Sequence, residues 1–69
     1  MVETYRGYTI RLTQGLSWHA VLVEPETGAV LPTMATALLF EGATVAAARA
    51  RRLIDIYADA EQARRNRAA

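Results

Sequence analysis

The sequence predicts an α+β fold, in which a three-stranded antiparallel meander is followed by one long C-terminal α-helix packed on one sheet face (β-β-β-α). Three observations predict this class. Apolar side chains recur at every second position in residues 8–13 and 17–24, as in strands with one buried face. Short turn signals separate the strands, which favours antiparallel neighbours. Residues 43–66 have the periodicity of a helix that covers one face of such a sheet.

The first predicted strand covers residues 8–13. Its apolar face is formed by Tyr8, Ile10 and Leu12. Residues 1–4 are interpreted as a lead-in, and Gln14-Gly15 is the turn that follows the strand. The sheet is therefore expected to begin at Tyr8.

The second predicted strand covers residues 17–24 and carries apolar side chains on both faces. One face holds Trp18, Ala20 and Leu22. The other face holds His19, Val21 and Val23. We assign the first face to the core, opposite the apolar face of the preceding strand. The other face is then unusually apolar for a sheet surface that contacts water.

The third predicted strand covers residues 29–34 and follows a hairpin turn at Pro25-Glu26-Thr27-Gly28. Proline presets φ at the first turn position, and glycine accepts a positive φ at the last. Pro32 cannot donate to a β-ladder, so this strand lies at an edge or breaks there. Residues 36–40 fit either a strand or a short apolar lid. We prefer the lid, with Phe40 anchoring the start of the helix.

The predicted helix runs from Ala43 to about Asn66, with Gly42 as its N-cap. At 100° per residue, the core-facing stripe is formed by Ala46, Ala50, Leu53, Ile54 and Tyr57. The stripe ends by about Glu61. Residues 62–69 are therefore interpreted as a basic, frayed tail.

Length and composition favour a single domain over residues 1–69, with a core at about 5–61. The 69 residues are 52% hydrophobic, which argues against intrinsic disorder, and the chain has no cysteine for disulfides or thiolate sites. A core of this size is marginal, so oligomerisation is a reasonable source of added stability. The sequence has no segment resembling a signal peptide or a membrane span, and we expect a cytoplasmic protein.

Residues that could support catalysis are few. His19 is the only histidine; Ser17 points to the same side of its strand, but a carboxylate to orient the histidine is not evident. Asp55 and Asp59 lie four residues apart on the polar helix face, where Arg51 and Arg52 are positioned to neutralise Asp55. We expect no catalytic residue, metal site, cofactor or small-molecule substrate, and therefore no enzyme.

The arginines support one hypothesis for binding. Six of the eight lie in the predicted helix and tail, and the chain has no lysine. Arginine suits bidentate contacts to phosphate. The candidate nucleic-acid-binding residues are Arg51, Arg52, Arg64, Arg65 and Arg67. A GC-rich host would also favour arginine and alanine codons, and this alternative remains open.

Apolar residues outside the core support a second hypothesis, an interface with a protein partner or with a second copy in a homodimer. Val45, Ile56 and Ala63 lie on a helix flank beside the core stripe, and the outer side of the second strand is apolar. The candidate protein-interface residues are His19, Val21, Val23, Val45, Arg49 and Ile56.

A series of short motifs also resembles known groups. Tyr5-Arg6-Gly7-Tyr8 is followed by Trp18-His19-Ala20, then by the turn at residues 25–28, and then by Phe40 before an alanine-rich helix. This order resembles small uncharacterised bacterial β-β-β-α proteins that have a Tyr-Arg-Gly-aromatic start and a Trp-x-Ala second strand. It is also similar to the plant AP2-type DNA-binding domain. Both resemblances cover about residues 5–57 and imply the β-β-β-α topology.

The AP2 resemblance implies a further function, because such domains read the major groove with arginines and a tryptophan on the exposed sheet face. In this sequence the corresponding face offers Arg11 and His19 but also Val21 and Val23. The third predicted strand, residues 29–34, has no basic residue. The departure falls on the positions that would contact DNA.

These observations together predict a non-catalytic small binding protein that acts by protein–protein contact. An inhibitor or adaptor encoded by a phage or mobile element, of the anti-CRISPR kind, is one concrete version, suggested by small size without catalytic residues. The alternative is a nucleic-acid-binding regulator that uses the arginines of the C-terminal helix and tail.

Overall fold

A computed structural model of the chain describes residues 1–68. It contains one four-stranded antiparallel sheet followed by one long helix. The elements are β1 (Val2–Tyr5), β2 (Tyr8–Gln14), β3 (Trp18–Val23), β4 (Val30–Ala37) and α1 (Gly42–Ala68). The strands lie side by side in the order β1-β2-β3-β4, so the sheet is a meander. The α+β class and the C-terminal helix are confirmed, whereas the prediction of three strands is corrected to four.

The additional strand is β1, which the sequence suggested was a lead-in. It pairs antiparallel with β2, from Val2 opposite Arg11 to Tyr5 opposite Tyr8. The side chains that β1 turns towards the helix are Glu3 and Tyr5, which bond to helix residues rather than filling an apolar core. Alternation of apolar and polar residues, the usual sign of a strand, is therefore missing from β1.

The hairpin between β1 and β2 has Arg6 and Gly7 as its two central residues. Their φ angles are 52° and 85°. A two-residue hairpin of type I′ needs positive φ at both positions because its twist then matches that of the strands. Glycine adopts this conformation without cost, but arginine rarely does. Arg6 is held there by contacts to the helix.

The inner faces of β2 and β3 form the sheet side of the core, as predicted. Ile10, Ala20 and Leu22 are 0% exposed, and Leu12 is 5% exposed. Tyr8 and Trp18 are half-buried against the same cluster. The alternating apolar pattern therefore identified both the strands and the face that each buries.

The strand β4 lies at an edge of the sheet and contains an irregularity, as Pro32 predicted. Val21 pairs with Met34 and Val23 pairs with Val30, so β4 has extra residues around Pro32. The lid prediction for residues 36–40 needs correction, because the strand continues to Ala37 and buries both Ala35 and Ala37. Phe40 is 88% exposed and therefore does not anchor the start of the helix.

Helix α1 begins at Gly42, whose φ of 87° lies outside the helical range, and continues to Ala68. Its buried residues are Ala46, Ala47, Ala50 and Ile54, with Leu53 and Tyr57 half-buried. Small side chains let the helix lie close to β2, β3 and β4. The predicted core stripe is confirmed in outline, with Ala47 more buried than expected.

The helix is longer than the sheet that it covers. Its 27 residues span about 40 Å at 1.5 Å per residue, whereas a seven-residue strand spans about 24 Å. The molecule accordingly measures 45 × 19 × 18 Å. The C-terminal turns therefore pass beyond the end of the sheet where the β1–β2 and β3–β4 turns lie. Within residues 1–68, none of the helices has the length and apolar character needed to cross a membrane.

Candidate functional site

The outer face of the sheet, the side away from α1, carries a cluster of apolar side chains. The strand register places Val21 beside Met34, and Val23 beside Val30. Val30 is 60% exposed and Met34 is 51% exposed, while the two β3 valines are half-buried. We call Val21, Val23, Val30 and Met34 the outer apolar cluster. The sequence pointed to the two β3 valines; it missed their β4 neighbours because the Pro32 irregularity hides the register.

His19 lies next to this cluster on the same face. Thr13 and Thr36 are its cross-strand neighbours. The hydroxyl of Ser17 lies 3.3 Å from His19 Nε2. No carboxylate completes this pair among the contacts of the described chain, and no group of three His, Asp or Glu side chains in residues 1–68 is arranged to hold a metal ion. On this geometry, His19 is a polar residue beside the outer apolar cluster.

A polar cluster fixes α1 to the β1–β2 hairpin. Arg6 Nη1 lies 2.9 Å from Asp55 Oδ1, and Arg6 Nη2 lies 3.3 Å from Asp59 Oδ1. The hydroxyl of Tyr5 donates to the same Asp55 oxygen at 3.0 Å. The bonds from Arg6 and Tyr5 hold the pKa of Asp55 below its ordinary value, and the bond to Asp55 raises the pKa of Tyr5. Both aspartates therefore hold the fold together.

This pairing corrects the expected neutralisation of Asp55 by Arg51 and Arg52. Arg51 instead donates to Glu3 of β1. Sequence spacing within the helix suggested a local pair, but α1 lies against β1 at this height and the carboxylate of the strand is within reach. Arg51 and Asp55 thus each bind β1 or its hairpin.

The predicted helix flank of Val45, Arg49 and Ile56 is not a continuous surface. Val45 packs against the core, which corrects its assignment to an exposed flank. Arg49 donates to both carboxylate oxygens of Glu41, at 3.1 and 2.8 Å, and to the carbonyl oxygen of Thr36 at 3.0 Å. Ile56 remains 65% exposed and is the one member of the three that presents an apolar side chain to solvent.

The candidate nucleic-acid-binding arginines are likewise divided. Arg64 pairs with Glu61, and Arg65 pairs with Glu26 at 3.2 Å and with Glu61 at 3.7 Å. Arg51 faces β1, on a different side of the helix from these residues. In the part of the chain that the structure describes, Arg52 and Arg67 are the two of the five that form no ion pair. These arginines do not form one unopposed basic patch.

The sequence did not predict an exposed apolar surface that lies at one end of the molecule. The β2–β3 loop and the β4–α1 loop lie at the same end because Gln14, Trp18 and Ala37 are aligned across the strands. The exposed fractions in these loops are 100% for Leu16, 54% for Leu38, 45% for Leu39 and 88% for Phe40. We call these four residues the apolar tip. Apolar residues 38–40 suggested burial, but they occupy a turn that projects from the sheet.

The β4–α1 turn, which carries Leu38, Leu39 and Phe40 of the tip, is held by a network centred on Glu41. The Glu41 side chain accepts a bond from the Leu38 backbone N–H at 2.9 Å, and the Glu41 N–H donates to the Leu38 carbonyl at 2.9 Å. Arg49 forms a salt bridge with the same carboxylate. The bond from Arg49 and the bond from the Leu38 N–H lower the pKa of Glu41. Leu38, Leu39 and Phe40 are therefore presented on an ordered turn.

An open groove with a volume of about 450 Å³ lies at the opposite end of the molecule. It forms where the C-terminal half of α1 passes the β1–β2 and β3–β4 turns. Tyr8, Leu31 and Tyr57 contribute its apolar lining, and the hydroxyl of Tyr57 bonds to Thr33 at 3.1 Å. Its charged residues are Arg6, Glu24, Glu26, Glu61, Arg64 and Arg65. Three positive and three negative side chains leave the groove without a net charge.

Comparison with known proteins adds no assignment. No family model, no curated protein and no solved structure matches the chain. The resemblances to small bacterial β-β-β-α proteins and to AP2-type domains thus stay predictions. The structural features that bear on function are the two exposed apolar surfaces, the groove and the disposition of the arginines.

Proposed function

We propose that this chain is a non-catalytic protein-binding module that contacts its partner through the outer face of the sheet. The observation that carries the proposal is the outer apolar cluster, because antiparallel sheets that face water usually place polar residues there. Val21 and Met34 lie side by side at its centre, with Val23 and Val30 as the next pair. No element within residues 1–68 covers these side chains.

The size of this face favours a partner of another kind over a second copy. Four strands about 4.8 Å apart and about 22 Å long give a footprint of roughly 400 Å². A stable interface buries about 800 Å² on each partner. Two flat faces of this size stacked together fall short of that area. A larger partner that also contacts the β4 edge, where Met34 and Thr36 are exposed, would bury a larger area.

The polar residues around the cluster fit the same role. Arg11 lies beside Val21, and His19 beside Thr36, so the apolar centre has a rim of hydrogen-bonding groups. An apolar core with a polar rim is the usual composition of a protein interface. A protein that binds its partner through such a surface would act as an inhibitor or as an adaptor. The nucleic-acid alternative has less support, since Arg51, Arg64 and Arg65 are each paired with a carboxylate.

The test is a capture experiment from the native host with matched variants. Met34→Glu places a charge in the outer apolar cluster at a position that is already 51% exposed, so the fold should tolerate it. Thr13→Glu adds the same charge to the rim of the same face and is the control. A protein retained by the wild type and by Thr13→Glu, but lost with Met34→Glu, is the expected result.

Retention of the same protein by Met34→Glu would contradict the proposal, as would capture of nucleic acid alone. The second case is checked by treating the captured material with nuclease and by measuring the salt dependence of binding. Circular dichroism must show that each variant keeps the wild-type fold.

A further inference from the structure

We propose that the apolar tip binds the surface of a lipid bilayer that contains anionic lipid, with its four side chains inserted among the headgroups and the upper acyl chains. Leu16, Leu38, Leu39 and Phe40 together expose roughly 500 Å² of apolar surface, about a tenth of the 4700 Å² that the described chain exposes. Such a contact is peripheral and needs no membrane-spanning helix. The tip is separate from the outer apolar cluster, so the inference does not depend on the proposed function.

The shape of the apolar tip favours a bilayer over a protein pocket. Leu16 projects from the β2–β3 loop and is 100% exposed, while Phe40 projects from the β4–α1 loop and is 88% exposed. A protein partner must offer a cavity that matches two separate projections. Acyl chains rearrange around any convex apolar surface, because the hydrophobic effect is non-directional. A bilayer therefore covers both loops without a preformed complementary shape.

The backbone of the two loops forms internal hydrogen bonds that suit a site with little water. Hydrocarbon offers no hydrogen bonds, so backbone groups that approach it need partners within the protein. The Leu38 N–H donates to Glu41 Oε1 at 2.9 Å, and the Leu38 carbonyl accepts from the N–H groups of Glu41 at 2.9 Å and Gly42 at 3.3 Å. In the other loop, the Gly15 N–H donates to the Ser17 carbonyl at 2.9 Å. Because these bonds already order the turns, little conformational freedom is lost when the tip enters lipid.

The charge at the apolar tip suits an anionic surface. Glu41 is the one carboxylate in the two loops, and Arg49 donates to both of its oxygens. The positive end of the α1 dipole lies behind the tip, since α1 begins at Gly42. The negative charge of Glu41 is therefore balanced where the tip would meet anionic headgroups.

The charges of the remaining chain orient the molecule in the same sense. Five of the seven carboxylates and four of the eight arginines lie towards the opposite end, which leaves a net charge of −1 there and +2 on the rest of the chain. The residues at that end are Glu24, Glu26, Asp55, Asp59 and Glu61, with Arg6, Arg64, Arg65 and Arg67. An anionic headgroup layer attracts the tip end and repels the other.

The amount of hydrocarbon in the tip sets the strength of the contact. A single myristoyl chain binds membranes reversibly, with an association constant of about 10⁴ M⁻¹. Leu38 and Leu39 are 54% and 45% exposed, so part of the tip stays against the protein. We therefore expect weaker binding than for a myristoyl chain, half-maximal at about 1 mM lipid. Replacing one tip side chain with a carboxylate should raise that lipid concentration about tenfold or more, because it removes apolar area and adds a charge that must be desolvated.

Vesicle flotation of the full chain and four variants tests the proposal, with vesicles of phosphatidylcholine containing about a quarter phosphatidylglycerol. Phe40→Glu and Leu16→Glu each disable one loop of the tip. Ile56→Glu and Met34→Glu are the matched controls, because each adds the same charge at an exposed position on the helix or on the outer sheet face. At about 1 mM lipid the wild type and both controls should float, whereas both tip variants should not. Circular dichroism must show the wild-type fold for each variant.

A fluorescent label identifies the end of the molecule that enters lipid. The chain has no cysteine, so Leu16→Cys and Ile56→Cys each provide a single site for the environment-sensitive dye NBD. On addition of vesicles, emission should rise and shift to the blue for the label at position 16 and stay unchanged for the label at position 56.

A wild type that does not float at about 10 mM lipid would overturn the proposal. In that case, a host protein captured by the wild type but lost with Phe40→Glu would assign the tip to a protein partner. Flotation of Phe40→Glu and Leu16→Glu at the wild-type lipid concentration would also overturn it. Loss of flotation with Met34→Glu alone would place the lipid contact on the outer apolar cluster instead of the tip.

Discussion

Replacement of Ile54 by alanine should remove most of the stability of this protein. Ile54 is 0% exposed and is one of three large side chains that are completely buried. Six of the ten core residues are alanines, so few atoms are available to fill the space that the side chain leaves. Buried Ile→Ala substitutions cost about 2–5 kcal/mol. A domain of this length is stable by roughly 3–10 kcal/mol in total.

The matched control lies two residues away. Ile56→Ala makes the same chemical change on the same helix, but Ile56 is 65% exposed. Alanine also has the higher helix propensity, so we expect a change of less than about 0.5 kcal/mol in either direction. Urea denaturation followed by circular dichroism at the helix signal measures both variants. With a slope of about 1 kcal/mol per molar, the Ile54→Ala midpoint should fall by about 2 M or more.

The comparison refutes the assignment of the core if the two variants lose similar stability. A loss below about 1 kcal/mol for Ile54→Ala would mean that the helix does not seat this side chain against β2, β3 and β4. A large loss for Ile56→Ala would mean that its helix flank is covered, either within the chain or by a second copy. Repeating the Ile56→Ala measurement at several protein concentrations separates these two explanations.

Three further predictions follow from the turns and ion pairs. Because the pKa values of Asp55 and Glu41 are lowered in the folded protein, the stability that these two carboxylates contribute is fully present above about pH 4–5 and is lost as the pH falls through the lowered values. Acid titration of the wild type should show this loss of stability. The loss should be smaller in Asp55→Asn. Gly7→Ala should cost about 1 kcal/mol in urea denaturation because φ is 85°, while the added Cβ would lie 3.6 Å from Pro25, an ordinary contact. Pro32→Val should increase aggregation measured by light scattering, since it restores a donor and an apolar side chain on the exposed β4 edge; unchanged scattering would show that the edge is protected by other means.

The sequence predicted the elements whose apolar residues repeat at a regular spacing. β2, β3 and α1 each bury a periodic apolar stripe, and their bounds and buried faces followed from it. β1 was not predicted, because its inward side chains, Glu3 and Tyr5, form polar bonds with the helix and so leave no periodic apolar pattern in the sequence. The end of β4 was misread because its buried positions are Ala35 and Ala37, whose small side chains resemble those of the adjacent helix.

The candidate surfaces were predictable only in part, and for a related reason. Spacing along a strand identified Val21 and Val23, but pairing with Met34 and Val30 depends on a register that the irregularity around Pro32 shifts. The apolar tip was missed because consecutive apolar residues favour burial, and sequence alone does not show whether a turn projects outward. The pairing of Arg6 with Asp55, of Arg51 with Glu3 and of Arg65 with Glu26 was missed because the two partners lie in different elements of the fold.

The disposition of charge explains why apolar surfaces are the better candidates for function. A core made mainly of alanine brings the helix close to the sheet but supplies few large contacts to fix its orientation. The charged pairs lie along both margins of the helix: Arg6 and Glu3 bind it on the β1 side, and Arg49 binds the β4 side. Charges engaged in this way serve the fold. The outer apolar cluster and the apolar tip have no such role within residues 1–68, so their exposure is what a binding partner would relieve.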